Sequence, residues 1–171
     1  TCCEDGRVRI WDFHTGQLAH APLNHDGPVN WAEFSQDGRR VFTLSNYNAF
    51  RQRRATIRAW DLATSVPPSR AFRHQGQVVA ADFHPDGSRL LTAGFDGRVL
   101  VWNTISGKPE LTIKLEDHIE MAFFSTDGNA IVTKTSNNPE IVRLWDSTSG
   151  EPVSPAMVMR DDVNQLDLSP D

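Results

Sequence analysis

The sequence predicts an all-β fold built from repeated four-stranded units. Tryptophans recur at the ends of short apolar runs, turn dipeptides follow about every ten residues, and no stretch has a convincing helical period. The tryptophans that close these runs are Trp11, Trp60, Trp102 and Trp145. They lie 49, 42 and 43 residues apart, and self-similarity at such a period is typical of an array of supersecondary units.

Two further marks align the units. A large apolar residue precedes an Asp-Gly pair, and a threonine follows that apolar residue nine positions later. The apolar marks and their threonines are Phe34 with Thr43, Phe83 with Thr92, and Phe124 with Thr133. A further step from the last tryptophan reaches Leu168. The longest interval, from Thr43 to Trp60, predicts a seven-residue insertion in a single loop, where insertions cost least.

Within one unit the pattern predicts four strands joined by tight turns. The strands are expected at Val78 to Phe83, Arg89 to Ala93, Arg98 to Trp102 and Glu110 to Lys114. Asp86-Gly87, Asp96-Gly97 and Ser106-Gly107 lie between them, and such pairs supply the positive-φ positions of hairpin turns.

Composition narrows the classes of function. A net charge of −5 over 171 residues disfavours general nucleic-acid binding, which needs a basic face. No apolar run approaches the roughly 18 residues of a membrane span. The adjacent Cys2 and Cys3 point to opposite faces of a strand and form neither a disulfide framework nor a metal pair. This usage is compatible with a reducing cytoplasm, which is the expected location.

The complete unit resembles the WD-repeat (WD40) β-propeller family. The matching residues are His74, Val78 to Gly87, Leu91-Thr92-Ala93-Gly94, Asp96-Gly97 and Trp102-Asn103. Because the marks recur at fixed spacing, the resemblance extends over essentially the whole chain. The linkers also resemble those of bacterial WD-repeat arrays, some of which are fused to Ser/Thr protein kinases.

The resemblance implies one propeller domain spanning residues 1–171. We expect an open arc of about three full four-stranded blades plus two partial blades. The predicted units are 1–24 (partial), 25–74, 75–115, 116–159 and 160–171 (partial). The chain begins with Thr1, and both ends fall inside the repeat pattern. It is therefore interpreted as a fragment whose remaining blades belong to the same chain.

The resemblance also implies a buried hydrogen-bonded tetrad of His74, Thr92, Asp96 and Trp102. Tryptophan only donates, a hydroxyl accepts and donates, neutral histidine does both, and an ionised carboxylate accepts, so the four groups satisfy one another. The other units depart from this pattern. Arg54 and Pro139 stand at the Asp position of their units, and Leu115 stands at a His position. Asn137 and Asn138 are considered as local substitutes.

Partner-binding positions follow from the resemblance, because such propellers often meet partners through the loops that enter the first strand and join the second to the third. The candidates named on this basis are Asn30, Gln77, Val79, Phe95, His118, Glu120, Asp162 and Asn164. Phe95 is the most plausible anchor, since buried aromatics dominate interface energies. Each of these positions could equally be an ordinary loop or strand residue.

The insertion carries Arg51, Arg53 and Arg54 and is expected on the same face. Because arginine binds carboxylates and phosphates bidentately, an acidic peptide, a phosphorylated segment or RNA is a conceivable ligand. A solvated loop is the alternative.

The function predicted from the sequence is a non-catalytic scaffold for protein or peptide ligands. There is no Gly-rich phosphate loop, nucleophile elbow or histidine pair at metal-ligand spacing, so no catalytic residue, metal or cofactor is predicted. The alternative is a regulatory or sensor module of a larger signalling enzyme, such as a Ser/Thr protein kinase, whose catalytic domain lies outside this segment. RNA binding through the arginine-rich insertion is a second rival.

Overall fold

The computed structural model describes residues 1–35, 37–49, 52–64, 71–74, 76–136, 139–160, 166 and 168, with the backbone alone at 46–49, 52–54 and 71–73. Arg51, Asn137, Asn138, Asp162 and Asn164 lie outside the described residues. The described regular structure consists of antiparallel strands without a helix, which confirms the predicted all-β class. Within these residues, no helix is long and apolar enough to span a bilayer.

The chain divides into two compact units, Thr1–Gln75 and Gly76–Asp171. The strands of the first unit are β1 (Arg7–Val8), β2 (Leu23–Asn24), β3 (Trp31–Phe34), β4 (Arg40–Ala49), β5 (Gln52–Asp61) and β6 (Ala71–His74). β1 pairs with β2, and β3 to β6 form a four-stranded sheet in chain order. Val8, Leu23, Val29, Val41 and Trp60 make a buried apolar cluster in this unit.

The second unit contains two four-stranded sheets. Its strands are β7 (Val78–Phe83), β8 (Arg89–Gly94), β9 (Arg98–Asn103), β10 (Pro109–Lys114), β11 (Ile119–Phe124), β12 (Ala130–Thr135), β13 (Glu140–Asp146) and β14 (Met157–Met159). β7 to β10 form one sheet and β11 to β14 the other, each in chain order. The strands of the first of these sheets differ from the prediction by at most one residue at an end. The grouping of residues 1–171 into one propeller with the predicted blade boundaries stays a prediction.

The two sheets of the second unit share one core. Apolar side chains of both sheets meet in it, namely Leu91, Ala93, Val99, Val101, Ile113, Ile119, Ala122, Phe124, Ile131 and Trp145. The Phe124 amide donates to the Asp82 carboxylate at 2.7 Å. Burial raises the pKa of Asp82 despite the amide hydrogen bonds it accepts. Arg89 Nη1 also donates to the Ser147 carbonyl at 2.8 Å, so polar contacts join the edges of this core.

The seven-residue insertion is a hairpin extension and not the predicted loop. β4 and β5 are each 10 residues long, and their pairing continues without a shift from Arg40↔Asp61 to Ala49↔Gln52. Extension of the ladder satisfies backbone N–H and C=O groups that a loop would leave to solvent. The expectation that Arg53 and Arg54 belong to a loop is therefore wrong, because both lie on β5.

The Asp-Gly turns form as predicted, and they account for most of the exposed aspartates. In the turn at 86–87, Gly87 has φ 71°, a value that glycine adopts without a Cβ penalty. The Asp86 carboxylate accepts from the hydroxyl and the amide of Ser88 at 2.7 and 2.8 Å. These hydrogen bonds, the hydroxyl first, lower the pKa of Asp86 to about 2 in spite of slight burial. The carboxylate thus has a structural role in the turn.

Candidate functional site

A tryptophan–threonine hydrogen bond recurs at the centre of each four-stranded sheet. Indole Nε1 donates to the threonine Oγ1 in the pairs Trp60–Thr43 (2.8 Å), Trp102–Thr92 (2.9 Å) and Trp145–Thr133 (2.8 Å). The three threonines are fully buried, and the indoles are nearly so. Because a buried hydroxyl needs a partner, this bond ties the second strand of each sheet to the third. Trp11 Nε1 donates a longer hydrogen bond of the same kind to Thr1 Oγ1, at 3.2 Å.

In the β3–β6 sheet, the partly buried His25 extends this pair to a triad. Its Nε2 lies 2.6 Å from Thr43 Oγ1, and its ring centroid lies 5.6 Å from that of Trp60. Burial, followed by the positive charge of Arg58, lowers the pKa of His25 to about 4, against the opposing charge of Asp26. The imidazole is therefore neutral at pH 7, and Nε2 is able to accept the threonine proton.

The predicted tetrad is placed only in part. Trp102 and Thr92 are bonded as described, and Asp96 lies on the turn between β8 and β9 with Oδ2 3.9 Å from Arg98 Nε. His74 ends β6 and is 1% exposed, but it belongs to the first unit. Its link to the other three residues stays a prediction.

Five of the predicted contact residues that the structure describes lie in the second unit, and four of them are exposed. These four are Gln77, Phe95, His118 and Glu120, and we refer to them as the Phe95 surface. The Phe95 amide donates to the Gln77 carbonyl at 3.0 Å. His118 Nδ1 donates to the Phe95 carbonyl. The two rings meet edge to face, with centroids 5.7 Å apart. Phe95 is thus 38% exposed while its backbone is fixed from both sides.

Two predicted contact positions coincide with irregularities in the first strand of a sheet. The pairing register shifts between Val78 and Ala80, and again between Ile119 and Met121. The residues at these shifts are Val79 and Glu120. Since a β-bulge re-aims the side chain it contains, these positions present side chains differently from the regular strand. Val79 is half-buried, whereas Glu120 is exposed.

Glu120 is anchored by a buried lysine that the sequence analysis missed. Lys134 Nζ lies 2.8 Å from Glu120 Oε2 and 2.9 Å from Glu140 Oε1, and its side chain is 2% exposed. Burial alone lowers the pKa of Lys134, but the hydrogen bonds and charges of the two glutamates outweigh it and raise the pKa. The lysine follows Thr133 directly on β12. The only signal was a charge where the other sheets carry Leu44 and Ala93.

The remaining described candidates lie in the first unit. Asn30 is exposed in the first unit, where its amide donates to the Leu44 carbonyl at 2.9 Å. Arg53 and Arg54 are described by their backbone alone. In the part of the chain that the structure describes, no three His, Cys, Asp or Glu side chains are grouped as a metal site would require.

Comparison with known proteins supports the repeat. The family model described as "WD domain, G-beta repeat" matches residues 67–103, the span that ends in the Trp102–Thr92 sheet. A search of the curated proteins finds no match. WD40 repeats generally mediate protein–protein interactions and are typically non-catalytic. Residues 67–103 thus match a WD repeat, and the same buried tryptophan–threonine bond in the other two four-stranded sheets supports the WD-repeat family.

Proposed function

We propose that this chain is a non-catalytic, regulatory scaffold that docks a protein or peptide through the Phe95 surface. The observation that carries the proposal is an exposed aromatic ring on a fixed backbone. Phe95 is held by the Gln77 carbonyl and by His118, so its ring meets a partner with little loss of conformational freedom. Rigid aromatic residues of this kind supply much of the energy in protein interfaces.

The polar residues of the Phe95 surface favour a partner with an apolar group that contacts Phe95 and polar groups around it. Glu120 offers a carboxylate that is 49% exposed, and Lys134 holds it in place. Gln77 and His118 add hydrogen-bonding groups. Interfaces commonly combine a central aromatic contact with such a polar rim. We further propose a cytoplasmic location, to which the free thiols of Cys2 and Cys3 are suited.

A displayed library of random 12-residue peptides, selected on the wild-type chain, tests this function. The affinity of selected peptides is then measured by fluorescence anisotropy for the wild type, Phe95→Ala and Phe13→Ala. Phe13 is the matched control, because it is a phenylalanine that is 94% exposed in the first unit. We expect Phe95→Ala to weaken binding at least about tenfold and Phe13→Ala to leave it unchanged. Equal affinities for all three proteins, or no enrichment of peptides, would contradict the proposal.

A further inference from the structure

The β11–β14 sheet keeps the buried tryptophan–threonine bond but lacks the histidine that completes it in the β3–β6 sheet. Leu115 occupies the position, nine residues before the apolar mark, that His25 occupies in the first unit. A leucine cannot bond to a threonine hydroxyl. Arg143 lies over the indole in this sheet, with its guanidinium carbon 5.3 Å from the centroid of the Trp145 ring.

The first unit shows what an arginine in this strand position binds. Arg58, like Arg143, lies two residues before its tryptophan. Its Nη2 donates to Asp26 Oδ2 at 2.8 Å, and its Nη1 donates to the Asn24 carbonyl at 2.9 Å. The position therefore directs a guanidinium toward a carboxylate on the chain segment that leads into the sheet.

Glu116 follows Leu115 as Asp26 follows His25, but among the described residues no hydrogen bond or ion pair joins Glu116 to Arg143. Its Nε is buried, and no residue in the described part of the chain accepts a hydrogen bond from it. A buried donor without a partner costs more free energy than the same donor in water. Because a guanidinium keeps its charge at all ordinary pH values, Arg143 has no neutral form that would relieve this cost.

A cavity of about 380 Å³ adjoins this arginine. Thr133, Arg143 and Trp145 contribute to its wall, and Lys114, Glu116 and Asp117 contribute the other charged groups. The two cations and two anions sum to zero, so a single negative charge faces no net repulsion.

We propose that this cavity binds a carboxylate of the partner through Arg143, from an Asp or Glu side chain or from a peptide C-terminus. The fork of the guanidinium matches a carboxylate bidentately, and the stacked indole holds the fork in place. The cavity adjoins the Phe95 surface, since Asp117 directly precedes His118 and the Leu115 amide donates to the Gly97 carbonyl at 2.7 Å. The inference rests on the proposed function and adds the chemistry of the partner: an acidic group beside the residue that contacts Phe95.

The peptides selected on the wild-type chain test the inference. We expect them to share an acidic residue or to require a free C-terminus. Replacing the peptide acid by its amide should weaken binding at least about tenfold. Amidating the C-terminus in a separate peptide distinguishes the two sources of the carboxylate.

Variants of the chain place the effect at the cavity. Arg143→Gln should cause the same loss as the peptide amide, and the two changes together should cause no further loss, because they remove one interaction. Arg143→Lys keeps the charge without the fork and should recover only part of the affinity. Glu116→Gln should strengthen binding by removing a like charge. Thermal unfolding of each variant, followed by circular dichroism, identifies any that fails to fold.

The outcomes separate this inference from the proposed function. Binding that is lost in Phe95→Ala but unchanged in Arg143→Gln overturns the carboxylate site and leaves the docking surface standing. Peptides selected without any acid also overturn it. A third outcome is that Glu116→Gln and Arg143→Gln lower the stability of the fold by the same amount and leave peptide binding unchanged. Glu116 would then be the internal partner of Arg143, and the carboxylate site would be overturned.

Discussion

Acidification should destabilise the first unit through His25. The pKa of this histidine falls from the ordinary 6.5 to about 4 in the folded chain, first because of burial and then because of the charge of Arg58. Between these pH values the unfolded chain binds the proton more readily than the folded chain. The stabilisation is therefore complete above pH 6.5 and declines as the pH falls toward 4.

The size of the effect follows from the two pKa values. A single group with these values makes folding about 2 kcal/mol less favourable at pH 5 than at pH 7. His25 is only partly buried, so solvent screens part of this effect. We therefore expect a loss of about 1–2 kcal/mol between pH 7 and pH 5.

Denaturant unfolding at both pH values, followed by circular dichroism, measures this loss. His25→Gln removes the titrating ring and should lower the stability at pH 7 by about 1 kcal/mol, because Thr43 loses a partner. The gap between this variant and the wild type should then narrow or close at pH 5. His14→Gln, at an exposed position, controls for the loss of a histidine. If the wild type and His25→Gln lose equal stability on acidification, the reasoning about His25 is refuted.

Two further predictions concern single buried contacts. Gly97→Ala should lower the free energy of unfolding by at least about 2 kcal/mol more than Gly16→Ala does. Both glycines have φ near 70°, but a Cβ at Gly97 would lie 2.5 Å from the Leu115 carbonyl oxygen, whereas a Cβ at Gly16 would have no atom within 4 Å. Equal losses in denaturant unfolding would exclude this clash. Lys134→Met should lower the free energy of unfolding by about 2–3 kcal/mol, because it leaves Glu140 and Glu120 without their shared cation. An additional Glu140→Gln change should restore part of the lost stability. If thermal unfolding shows no such recovery, the ion-pair explanation is contradicted.

The fold could be predicted because its signals are local and repeated. The turn at Asp86-Gly87 and the apolar strand before it each specify their own conformation, and the period places the same signals in the next unit. The insertion was mispredicted as a loop for a physical reason. The pairing of β4 with β5 extends to Ala49↔Gln52 and leaves two residues between the strands, so the extra residues lengthen the hairpin without changing its register.

The site was less predictable, because its geometry depends on contacts between distant segments. The family resemblance brought Phe95 and His118 into one set of candidates, but only the structure shows their rings in contact. Lys134 gave no signal beyond a charge in an apolar strand, since its two glutamates come from different strands. Arg143 and Arg58 both lie two residues before a tryptophan. Arg58 bonds to Asp26, whereas Arg143 lies beside a cavity, and the sequence does not show this difference.

The three four-stranded sheets share one buried tryptophan–threonine hydrogen bond, whereas the residues around this bond differ from sheet to sheet. Where His25 is present, the threonine and the arginine of the sheet both have partners within the unit. Where Leu115 replaces it, the bond to Trp145 persists, and the arginine is left beside a cavity with a buried N–H. Replacement of the histidine leaves the tryptophan–threonine hydrogen bond intact, so the second and third strands stay joined. The residues around that bond are therefore able to vary and to contribute to binding. We therefore expect the surroundings of Trp145, rather than those of Trp60, to contribute to the specificity of binding.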